Sequence, residues 1–109
     1  QGDGPMDPDP LESKMILFGT NPVSVDAAAG VLMGFDTSKI PIVWNGFHAH
    51  GFPLANWDFA DVRCISNEQT WNGTLEEVAR SEAILDVRPH FGWVNHIEAP
   101  KLSVAASAE

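Results

Sequence analysis

Two groups of polar side chains in this 109-residue chain have the types and spacing to do chemistry. The first is Asp3 and Gly4 of a Gly-Asp-Gly-Pro stretch, together with Asn21, Ser24 and Asp26 around the start of an apolar segment. Free N–H groups at a helix start favour anions and carboxylates favour cations, so a metal bridging an anionic substrate would reconcile the two. Asp3 or Asp26 would then be a metal ligand or a general base. The second group is His48 and His50. A His-x-His pair on a strand puts both imidazoles on one face, where they can share a transition metal. Here Gly51 and Pro53 favour a loop or a helix end for the pair, and no third ligand is evident nearby. His90 and His96 belong to the same histidine-metal reading.

Asp26 draws the most attention because of its neighbours. Val23, Val25, Ala27, Ala28, Ala29, Val31, Leu32 and Met33 leave almost no polar face, and a helix apolar all round is expected to be buried all round. A carboxylate removed from water needs hydrogen bonds or a cation. Two readings stay open: Asp26 accepts backbone N–H groups from a Gly-rich loop, or it serves a ligand, a metal or a proton transfer.

The elements that must position these residues follow from the chain in order. Residues 1–13 mix glycines and prolines with Asp3, Asp7, Asp9 and Glu12, which reads as loop. The apolar run that ends at Phe18 predicts a buried strand near 14–19. Asn21 suits an N-cap, Pro22 the first helical position and Gly34 the left-handed stop, predicting a helix over 22–34. Ala28, Ala29 and Gly30 would allow a neighbouring element to approach closely. A second helix is expected near 39–50, with Pro41 in its first turn and Asn45-Gly46 weakening its far end. Val62, Cys64 and Ile65 predict a strand over 61–66. Thr74 and Glu77 have the spacing of a capping box for a helix over 74–83, with Leu75, Val78, Ala79 and Ala83 on one face. Asn72-Gly73-Thr74 also matches a glycosylation acceptor, although turn chemistry explains it more simply. Residues 84–87 are a possible short strand, and 99–109 are expected to fray. The fold class predicted is therefore α/β, one domain over 1–109, with a small sheet of mixed or undetermined direction.

Composition narrows the functional classes. The chain is 44% hydrophobic and 19% charged, which places it among globular rather than disordered sequences. A net charge of −9 argues against nucleic acid or an anionic membrane as partner. The single cysteine, Cys64, excludes an internal disulfide and a Cys-ligated zinc or iron–sulfur site within this chain. No apolar stretch approaches the ~20 residues a bilayer needs, and a cytoplasmic location is the expectation. Gln1-Gly2-Asp3-Gly4 reads as the middle of a longer sequence.

The motifs also resemble a family. Gly2-Asp3-Gly4-Pro5, the first strand, Asn21-Pro22-Val23-Ser24-Val25-Asp26, Leu32-Met33-Gly34-Phe35-Asp36 and Ile40-Pro41 occur in a fixed order. Arg88-Pro89-His90-Phe91-Gly92-Trp93-Val94-Asn95-His96-Ile97-Glu98 follows near the end. From residue 1 to about 98 the chain resembles the C-terminal half of the domain of unknown function 362 family. That resemblance implies an α/β domain whose N-terminal half is absent here. It also implies an association, in many members, with a ferredoxin-like segment carrying Cys clusters, of which this chain has none. Family members commonly carry Asp where this chain has Asn21, which removes one carboxylate from the candidate site. The resemblance delivers no reaction.

Two functions are carried forward. One is small-molecule or metal-ion binding at the first strand–helix junction, through Asp3, Gly4, Asn21, Ser24 and Asp26. The other is a structural or interaction domain tied to an iron–sulfur or redox system through a missing segment or partner. The partner in view is the chain's own missing N-terminal half or a second copy.

Overall fold

The computed structural model describes residues 1–48 and 51–100. Helix α1 (Pro22–Leu32) begins as its sequence dictates. Asn21 is extended, its side-chain oxygen accepts from Ser24 N at 2.9 Å, and Pro22 supplies the preset φ of the first turn. At the other end Gly34 adopts φ +85°, which costs a residue without Cβ nothing, and its N–H donates to Val31 O at 3.0 Å. Val23, Ala27, Ala28, Gly30, Val31 and Leu32 are buried. The opposite stripe, Pro22, Asp26, Ala29 and Met33, runs along the less buried side, and Asp26 on it is exposed.

This corrects the expectation of a helix buried all round. Alanine and methionine tolerate a solvent-facing stripe, so the stripe was hidden in the composition. Asp26 lies in water and needs no compensating partner.

After α1 the chain folds back through a single 3-10 turn, Thr37–Lys39, whose Thr37 is buried. A Cβ on Gly30 would stand 2.9 Å from Thr37 Cγ2, so glycine there permits the close return anticipated for this stretch. Helix α2 (Pro41–Trp44) is followed by another 3-10 turn, Asn45–Phe47. The helix expected near 39–50 is thus one α turn plus one tighter turn, with Asn45-Gly46 at the change. Helix α3 (Leu75–Ala79) is shorter than its apolar periodicity suggested. Its start matches expectation, since Thr74 Oγ1 accepts from Glu77 N at 3.2 Å. Leu75 and Val78 on its inner face are fully buried and pack with Ala27, Ala28, Val31, Leu32, Val43 and Val62. Burial of each such side chain stabilises the fold by about 1.5–3 kcal/mol.

Among the described residues the β content is two antiparallel two-stranded sheets, so the chain is a small mixed α/β domain. Strand β1 (Gly2–Asp3) pairs with β2 (Asp7–Pro8), and β3 (Arg63–Cys64) pairs with β4 (Gly73–Thr74). Of the strands expected near 14–19, 61–66 and 84–87, only the second contains a paired segment. Residues 84–87 instead follow the end of α1, where Leu85 N donates to Leu32 O and Val87 N to Met33 O, both at 2.9 Å. Their N–H groups find helix-end carbonyls, so they build no sheet. Residues 14–19 are taken up below.

The N-terminal hairpin is held by Arg88. Gly2 N donates to Arg88 O at 2.8 Å, Arg88 N donates to Gln1 Oε1 at 2.7 Å, and the Arg88 guanidinium pairs with Asp9. Further along, Asp36 N donates to Ile97 O at 2.6 Å and Phe35 bridges Glu98. The Gly-Asp-Gly-Pro loop, read as loop throughout, thereby includes a tight hairpin anchored on Arg88. No helix among the described residues is long and apolar enough to cross a membrane.

Candidate functional site: an open groove beside the first helix

Residues 14–18 alternate strictly in burial from Met15 onward. Met15 and Leu17 pack on the core, while Ile16 is 92% and Phe18 95% exposed. That alternation is the signature of extended backbone with one face on a core. Yet no backbone N–H or C=O of residues 14–19 has a hydrogen-bond partner among the described residues. Unpaired backbone groups in an extended segment form a template for another strand.

A second edge stands across from this segment. β3 pairs on one side with β4 and, among the described residues, with no strand on its other side. Residues 61–67 and residues 14–21 line one open groove of about 850 Å³. Ser24, Val25, Ala28 and Leu32 of α1 contribute to it, as do Trp57 and Trp71. Ile65, which follows β3, is 95% exposed, whereas Val62 is buried and Cys64 half-buried against the core. The two segments therefore present the same arrangement: inner residues on the core, outer apolar residues in solvent.

Of the residues selected from sequence, Asn21 and Ser24 line this groove and Asp3, Gly4 and Asp26 do not. Asn21 uses its oxygen to cap α1 and its Nδ2 to donate to Leu54 O at 2.7 Å. Ser24 Oγ accepts from Trp57 Nε1 at 3.0 Å. Both polar groups are thus engaged in fastening the loop at 54–57 to the first turns of α1. The sequence reading missed the two edges themselves, because unpaired backbone leaves no mark on residue identity. The available signal was Ile65 and Phe18, large apolar residues on the alternate face of expected strands.

His48 is exposed and lies against Trp44, with ring centroids 5.0 Å apart. Its Nδ1 is 2.7 Å from Trp44 O, so the ring donates from Nδ1. His50 lies outside the described residues, as do residues 101–109 of the expected tail. His90 Nδ1 accepts from Gly92 N at 3.1 Å, and His96 packs near Trp93. Among the described residues no three His, Cys, Asp or Glu side chains are grouped to hold a metal ion. Cys64 faces the groove, and burial pushes its thiol up from the ordinary value. A neutral thiol in an apolar wall behaves as a small hydrophobe.

No family model matches the chain, and no curated protein or solved structure matches it either.

Proposed function

We propose that this chain is an interaction domain whose groove receives an extended segment of a companion polypeptide, which joins residues 14–18 to β3 in one sheet. The observation that carries it is the pair of unpaired backbone edges lining a single groove, with core-facing residues already packed beneath both. Strand addition uses such edges: main-chain hydrogen bonds supply affinity and alternate side chains supply selectivity. A backbone ladder is not chemistry that a small metabolite or a metal ion offers. The polar groups at the helix start are already engaged within the fold, Asn21 through its oxygen and its Nδ2 and Ser24 Oγ as acceptor from Trp57.

The test is selection of a random twelve-residue peptide display library against the whole chain, followed by amide hydrogen exchange with the enriched peptides. Expected are peptides with alternating apolar residues that protect amides within 14–18 and 63–66. Their affinity should be lost on N-methylation at alternate amides, which deletes the ladder donors. Enriched peptides that bind equally well when N-methylated, or protect other segments, would overturn the proposal. So would a selection that yields no groove binder.

A further inference from the structure

Asn72 reads in the sequence as a glycosylation acceptor or a turn residue, and its contacts give it a more particular use. Its Oδ1 accepts from Ser66 N at 2.9 Å, and its Nδ2 donates to Ser66 O at 2.9 Å and to Glu68 O at 3.3 Å. A side chain that engages both the N–H and the C=O of one residue does what an opposing residue does in an antiparallel pair. The β3–β4 ladder ends with Cys64 opposite Gly73, and the Asn72 side chain adds a rung beyond it, against Ser66.

That rung decides which way the neighbouring backbone points. Along an extended strand, successive residues direct their N–H and C=O groups to opposite edges. Burial alternates through this stretch, with Cys64 and Ser66 half-buried and Arg63, Ile65 and Asn67 exposed, so the chain stays extended past the end of β3. With Ser66 committed to Asn72 on the β4 side, Ile65 turns its N–H and C=O to the other edge. Neither group has a partner among the described residues. Ile65 lines the groove, so these are the groups a strand entering it meets.

We infer that Asn72 is a positioning residue for the groove: by holding Ser66 it presents the backbone of Ile65, and of Arg63 two residues before it, to the companion strand. This rests on strand insertion as proposed above and specifies its phase. The companion bonds β3 at Ile65 and Arg63, while Cys64 stays on β4 and Ser66 on Asn72.

Residue-resolved amide exchange of the whole chain, alone and with a peptide enriched in the selection above, tests the phase without any substitution. In the free chain Ser66 N should exchange slowly and Ile65 N fast, and the peptide should slow Ile65 N. Asn72→Ala should release Ser66 N and weaken peptide binding about tenfold, the upper end of what one hydrogen bond contributes. In that variant the peptide should no longer protect Ile65 N but should still protect amides in 14–18. Thr74→Ala is the control, since it removes the cap of α3 beside β4 and leaves the Asn72 contacts in place. There Ile65 N should keep its protection by the peptide. Circular dichroism checks that both variants fold, and if Asn72→Ala does not, the exchange pattern of the parent decides. Ser66 N exchanging as fast as Ile65 N in the free parent, Ile65 N left unprotected by a bound peptide, undiminished binding by Asn72→Ala, or equal losses in both variants would overturn the inference. In each of those cases a peptide that still binds the parent groove leaves strand insertion standing. If no peptide binds the parent, both fall.

Discussion

The indole of Trp57 donates a hydrogen bond to Ser24 Oγ at 3.0 Å, tying the loop at 54–57 to the first turns of α1 at the groove. Trp57→Phe keeps most of the ring and deletes the donor. A loss of about 0.5–1.5 kcal/mol is expected. Ser24→Ala should cost a similar amount, and the double variant little more than either single one. Chemical denaturation of the four proteins measures this; fully additive losses would mean that the two groups do not act as a pair.

Asn21 joins two bonds that different substitutions separate. Asn21→Ala removes both the cap of α1 and the bond to Leu54 O, and should cost about 0.5–2 kcal/mol from the cap alone. Asn21→Asp keeps the acceptor for Ser24 N and loses the donor to Leu54 O. Its helix content by circular dichroism should match the parent, while amides around Leu54 exchange faster.

Leu75 is 1% exposed at the contact of α3 with α1. Truncation to alanine is expected to cost about 2–5 kcal/mol. Small domains have total stabilities of about 5–15 kcal/mol, so this one change should consume a large part of the margin. A thermal melt reads the outcome as a large fall in midpoint or no cooperative transition.

The thiol of Cys64 stays protonated to higher pH than a free cysteine because its surroundings disfavour the thiolate. Iodoacetamide should therefore modify it more slowly than a cysteine in unfolded peptide at neutral pH, with the rate rising as pH is increased. A bound groove peptide should slow it further, since Cys64 lines that space. Mass spectrometry of timed samples follows both effects, and an unchanged rate with peptide bound would separate the thiol from the groove.

Glu98 is held below the ordinary carboxylate range, first by the hydrogen bond that Asn95 N donates to it at 3.0 Å. The folded value is lower than the unfolded one. Its stabilising contribution is therefore complete above the unfolded value and is lost as pH falls through the folded value. The Asn95 amide should lose exchange protection across that acid window. In Glu98→Gln that pH dependence should be absent.

What was legible in the sequence was local. Asn21, Pro22 and Gly34 each satisfy a requirement of a helix end within a few residues, and each stands where that chemistry places it. Thr74 and Glu77 behave in the same way. Strand pairing was not legible, because it depends on what lies alongside. Residues 14–19 have the composition and burial alternation of a strand, but no neighbour among the described residues completes one. The site reading turned on Asp26 and failed for a similar reason. A run of alanines does not reveal which side of a helix meets water, and Asp26 proves to be on that side. Asn21 and Ser24 stand at the start of α1, where the cap chemistry puts them, although their hydrogen bonds to Leu54 and Trp57 could not be read from spacing.

An extended segment oily on both sides and open along its length has a cost beyond recognition. Copies that meet with these edges uncovered can stack the ribbons into fibrils, with Ile16 and Phe18 interlocked between layers. Mutual repulsion between strongly anionic copies opposes this, and acidification weakens that brake. A strand bound in the groove, as proposed above, would cover both open edges and close that route to stacking.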